Sequence, residues 1–113
     1  MTTFDIIYVP FPFTDLSNAK KRPCVVLGSF KPRAYNLHLI VAMVTSNISN
    51  LKFPHDLVID DLVSAGLPAP SLIRLSKIVT IDSAIVLKKL GRLAKQEQRK
   101  LKNEFQLLFK DLT

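Results

Sequence analysis

The hydrophobic period changes once along this chain, and that change restricts the fold more than any other feature. Up to about residue 92 the apolar residues come in short β-branched and aromatic runs, broken by Pro, Gly, Asn or Ser. From about Ala94 the pattern is different. Leu101, Phe105, Leu108 and Leu112 recur at i, i+4, i+7 and i+11 among Lys, Arg, Gln and Glu, with no Gly or Pro between them. Short alternating or continuous runs suit strands, and a stripe of that spacing suits one amphipathic helix. Strands followed by a single helix predict a mainly β (α+β) chain, a small antiparallel barrel with a C-terminal helix packed on it.

The strands can be placed individually. Phe4 to Val9 reads as the first, ending at Pro10 and Pro12, and Pro10 to Lys21 has loop chemistry. A connection of about a dozen residues is longer than a tight hairpin needs, and long loops in compact domains are often functional. Pro23 to Gly28 is the second strand, Asn36 to Val44 the third, with Thr45, Ser46 and Asn47 closing it, and His55 to Ile59 the fourth. Asp60 to Pro70, with Gly66, Pro68 and Pro70, reads as turn. Ser71 to Ile81 is the fifth strand, with Leu72, Arg74, Ser76 and Ile78 expected on one side, and Ala84 to Leu90 the sixth. Ala94 is a weak cap for the helix. No repeat or linker interrupts residues 1–113, so a single domain is expected, and a core this small favours dimerisation.

Composition excludes several classes. Apolar residues make up 48% of the 113 and charged residues 22%, which argues against wholesale disorder. The longest apolar runs are a few residues, too short to span a bilayer, and the start Met1-Thr2-Thr3-Phe4-Asp5 has no signal-peptide character. A cytoplasmic protein without membrane partners is expected. Sixteen Lys and Arg against nine Asp and Glu give a net charge of +7, spread over both halves of the chain. Such a surface attracts polyanions, nucleic acid above all, or an acidic protein. Cys24 lies in an apolar run and reads as a small buried hydrophobe.

Metal and cofactor signatures are missing from the sequence. His38 and His55 are seventeen residues apart, there is one cysteine, and no zinc, calcium or Walker spacing occurs. No metal and no cofactor is expected. A polar constellation at the strand ends remains. Lys20-Lys21-Arg22 enters the second strand and Thr45-Ser46-Asn47 leaves the third; if those strands are antiparallel neighbours, Arg22 and Thr45 share one edge of the sheet. A guanidinium presents a planar, permanently charged fork to a phosphate, and a threonine hydroxyl can bond the same group. Together they suit the phosphorane formed when RNA is cut by its own 2′-oxygen.

The residues also carry a resemblance. Val9-Pro10-Phe11-Pro12-Phe13-Thr14-Asp15-Leu16-Ser17 and Lys20-Lys21-Arg22-Pro23-Cys24-Val25-Val26-Leu27 resemble the opening of the PemK/MazF family of toxins. Ile40 to Asn47, Ala65-Gly66-Leu67, Ser71 to Asp82 and Lys88 to Leu93 follow in the family's order, so the resemblance runs from about residue 4 to 110. It implies an SH3-like small antiparallel β-barrel with a C-terminal helix, acting as a homodimer. It also implies a ribosome-independent, metal-independent endoribonuclease that cuts single-stranded RNA at a short sequence, leaving 2′,3′-cyclic phosphate and 5′-OH ends, and that is held by an acidic antitoxin. The family's catalytic arginine and threonine fall on Arg22 and Thr45. Phe13, Lys20, Lys21, Asn47, Arg74, Ser76 and Lys77 are the candidates for the RNA groove.

Two positions depart from the family pattern. Phe4-Asp5 stands where Gly-Asp is usual, and Ser76 stands where many relatives carry an acid. Where that acid serves as a base, Ser76 cannot replace it, so altered base preference or reduced activity is expected. Two other functions fit the sequence: a non-catalytic barrel toxin of the gyrase-poisoning CcdB type, in which the Arg22/Thr45 pair is incidental, and an RNA-binding module whose catalysis has lapsed.

Overall fold

The computed structural model describes residues 1–11, 20–49 and 53–112. Its strands are β1 (Asp5–Phe11), β2 (Lys20–Phe30), β3 (His38–Thr45), β4 (Asp56–Ile59), β5 (Ser71–Asp82) and β6 (Lys88–Arg92). A one-turn helix, α1 (Leu62–Ala65), lies between β4 and β5, and the long helix α2 (Lys95–Leu108) closes the chain before a final 3-10 turn at Lys110–Leu112. The six strands form one antiparallel sheet in the order β4-β5-β3-β2-β1-β6. The mainly β architecture and the C-terminal helix are those expected. Among the described residues the sheet is curled rather than closed, with β4 and β6 at its ends. Register shifts at Ile6/Ile7, Val26/Gly28 and Ala42/Met43 supply the curl, because each extra residue bends its strand.

Strand alternation divides the core into two clusters. Ile6, Val25, Ala42, Val44, Ile73 and Leu75 meet Ala65, Leu67, Leu93 and Leu101 on the helix-bearing face. Ile7, Val9, Phe11, Cys24, Val26, Leu39, Val41 and Met43 form the other cluster with Ile81. Each fully buried aliphatic side chain contributes about 1.5–3 kcal/mol. Cys24 belongs to the second cluster as a packing residue, and burial pushes its thiol up to about 12, so it is not a nucleophile.

Several boundaries differ from those expected, for identifiable reasons. β1 runs on through Pro10, because its pairing with β6 has ended at Tyr8 and no donor is needed there. β2 begins at Lys20 and contains Pro23, which precedes the first residue paired with β3. The rest of the expected loop, residues 12–19, lies outside the described residues. The Asp60–Pro70 segment contains α1, whose Ser64 N–H is capped by Asp61 Oδ1 at 2.9 Å and whose C-cap is Gly66. Residues 83–85 are a 3-10 turn, so the sixth strand starts at Lys88. The expected side of β5 is also corrected. Arg74 pairs with Met43 and Ile78 with Ala42, so residues 75–77 bulge and Ile78 packs on the helix-bearing face, opposite in side to Leu72 and Arg74.

Two buried carboxylates pin the periphery. Glu97, on the first turn of α2, accepts hydrogen bonds at Oε1 from the backbone N–H groups of Asp60 and Asp61, tying α2 to the entry of α1. Asp5 accepts from Thr2 N–H at 2.8 Å and Arg92 Nη1 at 3.1 Å, with Lys89 Nζ 3.4 Å away. Burial alone would raise the Asp5 carboxyl, but the Thr2, Arg92 and Lys89 contacts outweigh it and hold the group below the ordinary carboxylate value. A carboxyl depressed by folding stabilises the fold above its unfolded pKa and loses that effect as pH falls through the folded one. The stability gap between the protein and an Asp5→Asn variant is therefore expected to be full at pH 7 and to shrink below about pH 4. Thermal melts at pH 7, 5 and 3 read this directly, and a gap that stays constant would contradict it.

Candidate functional site

The Cys24↔Met43, Val25↔Ala42 and Val26↔Val41 register between β2 and β3 is regular. Continued by two residues on each strand, it sets Arg22 opposite Thr45, at the end of the sheet where β2 starts and β3 stops. Residues directly opposite in an antiparallel pair have Cβ atoms about 4.5–5.5 Å apart on one face. β1 places Val9 on the other side of Arg22, and β5 places Leu72 beside Thr45. The pair thus sits on rigid strand ends braced by core residues.

Arg22 is half-buried, and its side chain has no hydrogen-bond or ion-pair partner among the described residues. Thr45 is only 5% exposed, and its Oγ1 accepts the Asn47 N–H at 3.2 Å, which leaves the hydroxyl proton as a donor. Asn47 is exposed, its Oδ1 accepting from Ser49 Oγ. Lys20 and Lys21, both exposed, stand opposite Phe11 and Pro10 on β1. Phe13 lies outside the described residues.

The β5 candidates form a second group. Arg74 is opposite Met43, one alternate position along from Thr45 and Leu72, on the same face. Its guanidinium grips the buried Asp56 carboxylate with two bonds, Nε to Oδ1 at 3.3 Å and Nη2 to Oδ2 at 3.1 Å, and stacks 4.0 Å over the Phe53 ring. Lys77 Nζ lies 5.6 Å from the same ring. Arg74 is thereby a positioned element of a cation–aromatic unit. Ser76 is exposed on the β5 bulge, four residues along from Leu72, roughly 13 Å on extended backbone. Sequence reasoning missed Phe53 and Asp56. The β4–β5 register sets Asp56 opposite Arg74, and Phe53 comes with it, its N–H donating to Asp56 Oδ2 at 2.7 Å.

The histidines stand apart from this edge. His38 opens β3, with Nδ1 2.9 Å from the Asn36 carbonyl oxygen, and His55 precedes β4 with Nδ1 3.4 Å from Glu104 on α2. Among the described residues no three His, Cys, Asp or Glu side chains gather as a metal site, and no helix is long and apolar enough to cross a membrane. At the shared edge of β2, β3 and β5, a cavity of about 210 Å³ opens beside Arg22. Lys21 lines the same cavity, and a guanidinium without a partner among the described residues and a hydroxyl donor are groups whose chemistry suits a phosphate.

Comparison with known proteins places this geometry in context. A family model described as the PemK-like, MazF-like toxin of type II toxin–antitoxin systems matches residues 2–109. No curated protein matches the sequence. Among solved structures, the Mycobacterium tuberculosis toxin MazF-mt6 shares the fold at 20% identity, with 94% of this chain and 96% of that chain covered and a TM-score of 0.70. A mycobacterial endoribonuclease in complex with its cognate antitoxin aligns with a TM-score of 0.67 at 9% identity, covering 95% and 92%. The MazE–MazF structure from Deinococcus radiodurans gives 0.66 at 14% identity, covering 96% and 94%.

Proposed function

Because the chain belongs to the family of PemK-like, MazF-like toxins of type II toxin–antitoxin systems, we propose that it is a ribosome-independent endoribonuclease that cuts single-stranded RNA at a short sequence without a metal ion. The observation that supports this reading is the β2–β3 register, which ends at Cys24 opposite Met43 and, extended by two residues, brings Arg22 and Thr45 to one end of the sheet. In the reaction the substrate's 2′-oxygen attacks the adjacent phosphorus and loses its proton. The P–O5′ bond breaks, and the departing 5′-oxygen gains a proton. The products are a 2′,3′-cyclic phosphate and a 5′-OH. The added negative charge on the non-bridging oxygens of the phosphorane is met by the permanently charged Arg22 fork and the Thr45 hydroxyl, both carried on strand ends. Arg22 acts by charge rather than as a proton donor.

The same reading includes two protein partners. An acidic antitoxin segment suits the +7 chain, and the relatives of similar fold include a toxin–antitoxin complex from Deinococcus radiodurans. A homodimer suits the apolar surface where Leu27, Ile40, Ile78, Phe105 and Phe109 line a cavity of about 240 Å³ and Phe105 is 42% exposed. Ser76, with no carboxylate to offer, leaves the chemistry to the Arg22/Thr45 pair and shifts base preference.

The test is incubation of the purified protein with a long single-stranded RNA in EDTA, followed by mapping of the ends. Defined cuts with cyclic-phosphate ends are expected. Intact RNA, or cutting that returns only with a divalent ion, would overturn the reading, and RNA binding without cutting would favour a lapsed nuclease.

A further inference from the structure

The cavity beside Arg22 has a composition of its own. It opens where β1, β2, β3 and β5 converge with the segment after α1, and measures about 210 Å³. Pro23, Leu67 and Pro68 contribute apolar surface, Tyr8 an aromatic ring, and Lys21, Arg22 and Ser46 polar groups. Tyr8 is held from both sides, opposite Pro23 on β2 and Lys88 on β6, with Lys88 Nζ 6.0 Å from its ring centroid. Ser46 is exposed and its hydroxyl has no partner among the described residues. Ser71 also lines the cavity, its hydroxyl donating to the Ala69 carbonyl at 2.8 Å.

We propose that this cavity is a nucleobase subsite in which Tyr8 stacks on one base of the RNA and Ser46 bonds its edge, making these residues determinants of base preference. The proposal rests on the reading of Arg22 and Thr45 as the cleavage pair. Three properties support it. The volume is below the roughly 300–1,000 Å³ of pockets that enclose a whole small molecule, and suits a single ring system. A lining of mixed character, with Tyr8, Pro23, Leu67 and Pro68 beside Lys21, Arg22 and Ser46, suits a planar ring with polar edges. Two cations, Lys21 and Arg22, line the cavity and can meet the sugar–phosphate backbone of a base seated in it.

The chain has no tryptophan and two tyrosines, Tyr8 and Tyr35, the latter 66% exposed on the β2–β3 connection. A Tyr35→Phe variant makes Tyr8 the sole tyrosine emitter. The probes are 2′-O-methyl oligo(A), oligo(C) and oligo(U), which bind but cannot be cut, and an abasic chain of equal length. Tyr8 emission, corrected for probe absorbance, is expected to fall by half or more with at least one base, and the abasic chain to bind about 5- to 150-fold more weakly. A Tyr8→Leu variant, mapped on a long RNA, should still leave cyclic-phosphate ends while losing preference at one position. Oligonucleotides that bind without moving Tyr8 emission, or unchanged preference in Tyr8→Leu, would overturn the subsite and leave the cleavage reading standing. Quenching by a base without cutting of natural RNA would keep the subsite and remove the cleavage reading. Absence of any oligonucleotide binding would overturn both, and quenching by an acidic peptide alone would reassign the cavity to a protein ligand.

Discussion

Arg22→Ala is expected to slow RNA cleavage by roughly 10²–10³-fold, the loss that follows removal of one preorganised donor from a developing oxyanion. The melting temperature should barely move, because the side chain has no described partner whose bond would be broken. Arg22→Lys keeps the charge but loses the planar fork, and should recover only part of the rate. Thr45→Val removes the hydroxyl at nearly constant shape. It should also slow the reaction, with a stability loss of about 1 kcal/mol from the orphaned Asn47 N–H. With both groups acting on one phosphate, as proposed, the double variant should lose less than the product of the single effects. The measurement is a single-turnover rate on a mapped site, with melting curves alongside. Cutting that survives both substitutions would place the chemistry elsewhere.

The second large effect concerns the fold. Gly66 ends α1 with φ +71°, and a Cβ there would stand 1.9 Å from the Leu90 carbonyl oxygen. Gly91 answers from β6, where a Cβ would stand 2.4 Å from the Ser64 carbonyl oxygen. Helix and strand therefore meet backbone to backbone. Gly66→Ala combines left-handed strain of about 1–2 kcal/mol with overpacking of about 1–3 kcal/mol. Against a typical total of about 5–15 kcal/mol, the melting temperature should drop by roughly 10–25 °C. Gly28→Ala is the control: its Cβ would meet nothing within 4 Å, so its effect should stay within about 1 kcal/mol of zero. A Gly66→Ala protein that melts within a few degrees of the parent would show that α1 can move off β6 at little cost.

Most of the architecture was legible because period is a local property. The α2 stripe announced the helix, with Leu101 buried beneath it, and the β-branched runs announced the first five strands, whereas Ile85 and Val86 drew the sixth forward of its true start at Lys88. Arg22 and Thr45 were legible from their places at two strand ends, needing only the assumption that those strands pair. What escaped depends on contacts between distant residues. Whether Pro10 or Pro23 breaks a strand depends on where the neighbouring ladder stops. The bulge at 75–77 reverses the side of Ile78 without any glycine or proline to mark it. The Asp56 partner of Arg74, eighteen residues away, exists only once β4 and β5 are in register.

A curled sheet that does not close among the described residues leaves two ladders without a described neighbour, at β4 and β6, and the two are guarded differently. β4 is four residues long, too short to template much of an incoming strand. At β6 the α1 backbone lies against Gly91, and the remaining approach runs past exposed Lys88 and Lys89. Lysines on an edge repel the hydrophobic strands that would otherwise add to it. The cost of a barrel left open is thus met by charge and brevity, and a Lys88/Lys89→Val pair would turn a silent margin into a site of self-polymerisation.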